Sequence, residues 1–331
     1  MSLQHTSQCL ADNPWHDPVQ RELQVYLPPG YARHKDRYPV FYDLAGYTGS
    51  ALAHSAWQGF RENLPQRLDR LIGERHIGPV IVVLPDCFTA LGGNQYIDSP
   101  AIGAYATYLT QEIIAFVDEN FRTLAGRDSR AVFGKSSGGY GALIHGMCHA
   151  QQWGAIASHA GDVQFELVYR SGFADAMSVL DAFDGKPLAF LKHFWRQDNH
   201  DGRDINALMT ICMAASYDPD SSAPLGFQLP FDCHTGQLDE QRWARWLRHD
   251  PLHMLENHLE ALKSLRGIYL DCGCRDQYHM HFGTRLLSQR LREFGVEHYY
   301  EEFDGTHSGI DYRLDVSLPY LYEHLDHPFG N

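Results

Sequence analysis

The chain lacks any run of 18 or more apolar residues, the length a membrane-spanning helix needs, so no membrane insertion is expected. Its opening, MSLQHTSQCLADN, has neither the basic start nor the apolar stretch of a secretory leader, and a cytoplasmic address is the default expectation. Basic residues are scarce, with 27 Lys and Arg against 41 Asp and Glu and a formal charge of -14. Such a surface repels polyanions, which argues against nucleic acid as a partner. Cysteine is sparse too. The seven thiols at 9, 87, 148, 212, 233, 272 and 274 are odd in number and scattered, unlike a disulfide framework. Cys272 and Cys274 are one residue apart and match neither the zinc-type nor the thioredoxin-type spacing. No His-Glu-x-x-His pattern occurs, and the pairs His279/His281 and His324/His327 have no evident third ligand. No metal site is therefore expected. Internal repeats and low-complexity segments are absent as well.

What is present is the makings of a large folded body: 331 residues, 44% of them hydrophobic and 21% charged. Short apolar or β-branched runs at 23–27, 39–44, 80–84, 131–134 and 155–160 read as buried strands. Helical patterns lie between them, most clearly over 102–122, where Tyr105, Leu109, Ile113, Phe116 and Val117 recur at three- and four-residue steps. The alternation predicts an α/β fold with a mostly parallel central sheet flanked by helices. After Gly161 it breaks for about a hundred residues, then resumes with a strand at 268–272, a helix near 282–294 and a strand at 298–303. The interrupting stretch is aromatic-rich, with Phe190, Phe194, Trp195, Trp243 and Trp246 among others, and shows no linker composition. It reads as a largely helical lid at about 162–262 inserted in one domain spanning 1–331, its aromatics serving partly as its own small core and partly as an apolar wall over the site.

Gly134-Lys135-Ser136-Ser137-Gly138 stands between a strand and a helix-like segment. A strand-to-helix turn that exposes a serine above the sheet edge is so tight that the positions two before and two after must be small. Glycines meet that need around Ser136, whereas Ser137 would put Lys135 in a position that needs a small residue. The Gly-Lys-Ser tripeptide is not a phosphate loop, because Ser129 stands where that loop needs glycine. The glycines also fall outside the dinucleotide-binding frame.

A serine hydroxyl needs a base to act as nucleophile, and the base needs a carboxylate to hold its tautomer. Asp276 follows the strand at 268–272 and His307 the strand at 298–303, in the order serine, acid, histidine. Asp271 and Asp304 are the fallback acids. His279 and His281 follow Asp276 too closely to serve as the base. Backbone amides of Ser137 and of Tyr47, with Gly46 next, are the expected donors to the oxyanion.

Together, Gly134 to Ala142, Tyr269 to Gly273 leading to Asp276, and Phe303 to Ser308 resemble the esterase family that includes esterase D, siderophore esterases and mycolyltransferases. The resemblance runs from about Leu23 to Leu325, less securely across the insertion. It implies the α/β-hydrolase fold and cleavage of a small-molecule carboxylic ester, or acyl transfer, through an acyl-enzyme without metal or cofactor. One departure stands out: Asp43-Leu44-Ala45-Gly46-Tyr47 replaces the His-Gly or Asp-Gly found in many members. An acyltransferase, or a catalytically silent binding module on the same fold, is the alternative. The sequence gives no oligomeric state.

Overall fold

The computed structural model describes residues 1–328. Eight strands form its central sheet: β1 (Ser2–Thr6), β2 (Gln20–Tyr26), β3 (Val40–Leu44), β4 (Ile81–Pro85), β5 (Arg130–Lys135), β6 (Ala155–His159), β7 (Gly267–Gly273) and β8 (Tyr299–Phe303). Their spatial order is β1-β2-β4-β3-β5-β6-β7-β8. From β4 to β8 every neighbouring pair is parallel, while β2 runs antiparallel to both β1 and β4.

The middle strands are covered on both faces, which is why they read as continuous apolar runs. Side-chain alternation sorts them: Val40, Tyr42, Leu44, Val132 and Ile156 enter one core cluster, and Phe41, Ala131, Phe133, Ala155, Ala157 and Tyr269 the other. Six parallel strands thus end at one edge. The turns after β3, β5, β6, β7 and β8 gather there, the position from which a parallel sheet presents its functional loops.

One strand was not anticipated, and one expectation needs correction. The opening residues 2–6 form edge strand β1, although they carry no apolar run; their exposure alternates at a sheet margin, where half-buried polar residues suffice. The helix anticipated over 102–122 starts later. Ser99 and Gly103 pair in a short ladder, and Gly103 takes φ +148°, which ends helical geometry there. Helix follows from Tyr105 to Asn120, with a π-helical turn over Tyr108–Ile113. The interrupting segment after β6 is largely helical, its longest helix being Gly202–Tyr217. Its Phe165, Phe173, Phe190, Trp243 and Trp246 pack in the same cluster as Tyr42 and Ile156 of the sheet. No described helix is long and apolar enough to cross a membrane.

Candidate active site

Ser136 sits between β5 and helix Ser137–Cys148, at φ 58° and ψ -125°. A side chain there is strained, and the strain turns its hydroxyl out of both elements. The neighbours enforce the turn. A Cβ on Gly134 would come within 2.5 Å of the Leu44 carbonyl oxygen and 2.6 Å of the Gly138 backbone, and one on Gly138 would overlap that same Leu44 oxygen. Both glycines are thus required by contact with the end of β3. The Ser136 amide donates to the His159 carbonyl at 2.9 Å, and the Ser136 carbonyl accepts from the Tyr140 amide at 2.8 Å, fixing the turn to β6 and to its own helix.

Asp276 and His307 meet because the ladder of β7 and β8 continues past the strands. The Cys274 amide donates to the Phe303 carbonyl at 2.8 Å and the Arg275 amide to the Gly305 carbonyl at 2.9 Å. Gly273 and Gly305 allow the approach, since a Cβ on Gly273 would lie 2.6 Å from the Gly305 backbone. Beyond them His307 Nδ1 stands 2.7 Å from Asp276 Oδ2, both side chains buried or nearly so. Asp276 Oδ1 accepts from the Tyr278 amide at 2.8 Å, and the His307 amide donates to Gln277 Oε1 at 3.0 Å. Burial alone would push the Asp276 carboxyl up. The bond from His307 and the Tyr278 and Met280 amides outweigh it, and the group is held below its ordinary range. An ionised Asp276 on Nδ1 assigns that nitrogen the proton and leaves Nε2 as the basic one.

Ser136 and His307 line one cavity of about 590 Å³, together with Gly46 and Tyr47. Gly46 abuts the Ser136 turn: a Cβ there would lie 3.3 Å from the Lys135 carbonyl oxygen and 3.6 Å from Ser136 Cβ. The Tyr47 ring is buried, with its hydroxyl donating to the Leu91 carbonyl at 2.6 Å, so its side chain holds the loop. Tyr96 steadies the same loop by donating to the Ala45 carbonyl at 2.5 Å. Ser137 is buried and accepts from Gln95 Nε2 at 2.7 Å. Its amide, first in the helix, belongs to the group that helix geometry leaves without an intrahelical acceptor.

The fallback acids are engaged elsewhere. Asp271 accepts from Arg313 and Tyr269 at 2.9 Å and pairs with His159 at 2.7 Å, and Asp304 is exposed and paired with Arg275. The expected aromatic wall is also different. Of the five aromatics singled out in the insertion, none lines the cavity; Phe190, Phe194, Trp243 and Trp246 are core, and Trp195 is half exposed and bonded to the Ala90 carbonyl. The insertion lines the cavity through Val168, Tyr169, Ile205 and Met209, with polar His200 and Asn206. Most of the large rings fill the segment's own interior, and of its aromatics Tyr169 reaches the cavity.

Sequence reasoning missed three cavity groups: Asp162, Lys135 and the Asp43–His54 pair, whose His54 Nδ1 lies 2.5 Å from the buried Asp43 carboxylate. That carboxylate pushes the His54 imidazole up in pKa. A carboxylate directly after the strand ending near Ala160 was a readable signal for Asp162; nothing in the local sequence marks His54.

The strand order and the strained strand-to-helix turn at Ser136 are those of the α/β-hydrolase fold. The chain belongs to the Putative esterase family, which it matches over residues 18–317. Esterase Rv1288 of Mycobacterium tuberculosis is 29% identical over 146 residues, covering 42% of this chain and 28% of that protein, so this chain spans only a fraction of that relative. Among solved structures it resembles a ferulic acid esterase (TM-score 0.66, 18% identity, 98% of each chain). It also resembles the fluorophosphonate-binding serine hydrolase FphF of Staphylococcus aureus (TM-score 0.61, 14% identity, 97% of each chain). The likeness to these two structures is one of fold.

Proposed function

We propose that the protein is a serine carboxylesterase working through an acyl-enzyme on Ser136. The observation that carries the reading is the His307–Asp276 bond of 2.7 Å at a cavity that also holds a serine on a strained strand-to-helix turn. His307 Nε2 takes the Ser136 proton as Oγ attacks the ester carbonyl, and the amides of Ser137 and of Tyr47 or Gly46 receive the oxyanion. Collapse of the tetrahedral intermediate breaks the bond to the alcohol oxygen, which takes the proton back from His307. Water, deprotonated by the same imidazole, then attacks the acyl-serine; its collapse frees the acid and restores Ser136.

The chain is read as one hydrolase body on which residues 162–262 overhang the carboxyl edge and bound the substrate cavity, for a small-molecule ester. Rapid mixing with p-nitrophenyl acetate tests the mechanism. Release of about one equivalent of p-nitrophenolate ahead of steady turnover is expected when deacylation is the slower step, with an acetylated Ser136 peptide recovered on acid quench. Turnover with no acyl-serine recovered under any quench would refute it.

A further inference from the structure

One carboxylate at the cavity has no part in the steps above. Asp162 follows Gly161 at the carboxyl end of β6, the strand between nucleophile strand β5 and acid strand β7. Its side chain is buried at 2% exposure, and no cation bonds it. Oδ2 accepts from the Tyr169 hydroxyl at 2.6 Å. Oδ1 is buried without a partner at hydrogen-bonding distance, though the Ser137 hydroxyl lies near enough to favour the ionised form. A lone buried carboxyl is costly, and an amide or apolar group would serve packing better.

The surroundings show what holds it there. The Tyr169 hydroxyl lies 3.2 Å from that of Tyr217, Tyr217 donates to Gln95 Oε1 at 3.1 Å, and Gln95 Nε2 donates to Ser137 Oγ at 2.7 Å. Two tyrosines of the insertion are thereby tied to the residue after the nucleophile, with Asp162 at the end of the chain. Asp162 also lines the cavity that His307 lines, near enough for the charges of His307 and Asp276 to act on it. We propose that Asp162 is a positioning residue of this site, a second carboxylate whose negative charge favours the imidazolium that forms on His307 as Ser136 attacks. The inference rests on the Ser136 reading.

Burial pushes the Asp162 carboxyl up to about 6, while the Tyr169 bond and His307 pull it down and Asp276 pushes it further up. The groups facing it are Ser137 and Tyr140 from the nucleophile helix, His307 and Asp276 from the late loops, and Tyr169 and Tyr217 from the insertion. Asp250, also in the insertion, is turned instead to the amides of Gln164 and Phe165. The charge of Asp162 is therefore switched within the range where activity is measured.

Asp162→Asn keeps an acceptor for Tyr169 and removes the charge. The experiment compares wild type and variant, from about pH 5 to pH 9, in kcat/KM for p-nitrophenyl acetate and in the rate of labelling by a fluorophosphonate. The expected result is a plateau lowered about threefold or more, with the acid limb moved toward lower pH by about half a unit or more, because imidazolium is less favoured without the neighbouring charge. The variant should also melt higher than wild type at pH 8. An acid whose pKa is raised on folding lends stability that is complete below its unfolded value of 3.8 and is lost as pH rises through about 6, so removing it helps at high pH only. Tyr169→Phe, which takes away the donor to Oδ2 and favours the neutral acid, should move the limb in the same direction. A uniform loss at every pH with an unmoved limb, or a limb coincident with wild type in both variants, would overturn the proposal. A wild-type protein that neither hydrolyses esters nor takes the label would sink the Ser136 reading itself, a separate failure.

Discussion

Ser136 occupies a backbone conformation that a non-glycine residue holds only under constraint, at a cost of roughly 1–3 kcal/mol. Ser136→Gly should therefore raise stability by about 1 kcal/mol while abolishing turnover, and Ser136→Ala should abolish turnover with melting nearly unchanged. If either replacement retained more than a trace of esterase activity, the nucleophile would lie elsewhere. Ser137→Ala should lose far less activity than Ser136→Ala, since the Ser137 contribution to the oxyanion is its amide; equal losses with normal substrate binding would mean the motif is read in the wrong frame. Asp276→Asn should cost about 10⁴-fold in kcat, because the amide no longer enforces the productive tautomer of His307. In wild type the activity should fall in acid, as only neutral imidazole accepts the serine proton, and Asp276, held below its ordinary range, stays ionised throughout that fall. An acid limb absent down to about pH 4 would contradict histidine as the base.

The elements carrying these residues are set by close backbone approaches. Gly138→Ala drives a methyl into the Leu44 carbonyl, and displacement of β3 from the helix start should cost about 3 kcal/mol, measured by urea unfolding, and take activity with it. A stable, active Gly138→Ala protein would show that the turn is looser than described. This same constraint made the strand-to-helix turn at Ser136 legible in sequence, since only small residues fit at its flanks. Strands β3 to β7 were legible because a parallel sheet buried on both faces demands uninterrupted apolar side chains. Edge strand β1 was not, for a polar segment can pair by its backbone alone. Gly103 ended a helix that the three- and four-residue spacing alone extended to Ile102. Asp276 and His307 could be picked by their place after late strands. Asp162 carried a readable signal, a carboxylate directly after a strand, whereas nothing local marks His54; the weight of each lies in its contact with Tyr169 or Asp43.

For the molecule as a whole, the helical segment between β6 and β7 shares a core cluster with the sheet and lends Val168, Tyr169, Ile205 and Met209 to the cavity wall. A bounded cavity of about 590 Å³ is of the size that encloses most of a small ligand. In an acyl series of p-nitrophenyl esters from acetate to palmitate, kcat/KM should peak at compact or aromatic acyl groups; a steady rise toward palmitate would indicate an open groove. The proposed reaction depends throughout on one oxygen atom being nucleophilic. The most direct measurement is covalent labelling with a fluorophosphonate, read by intact mass and peptide mapping. A single adduct per chain on Ser136, absent from Ser136→Ala and slowed by Asp276→Asn, is the predicted result. An adduct on another residue, or none in a folded protein at neutral pH, would contradict the account.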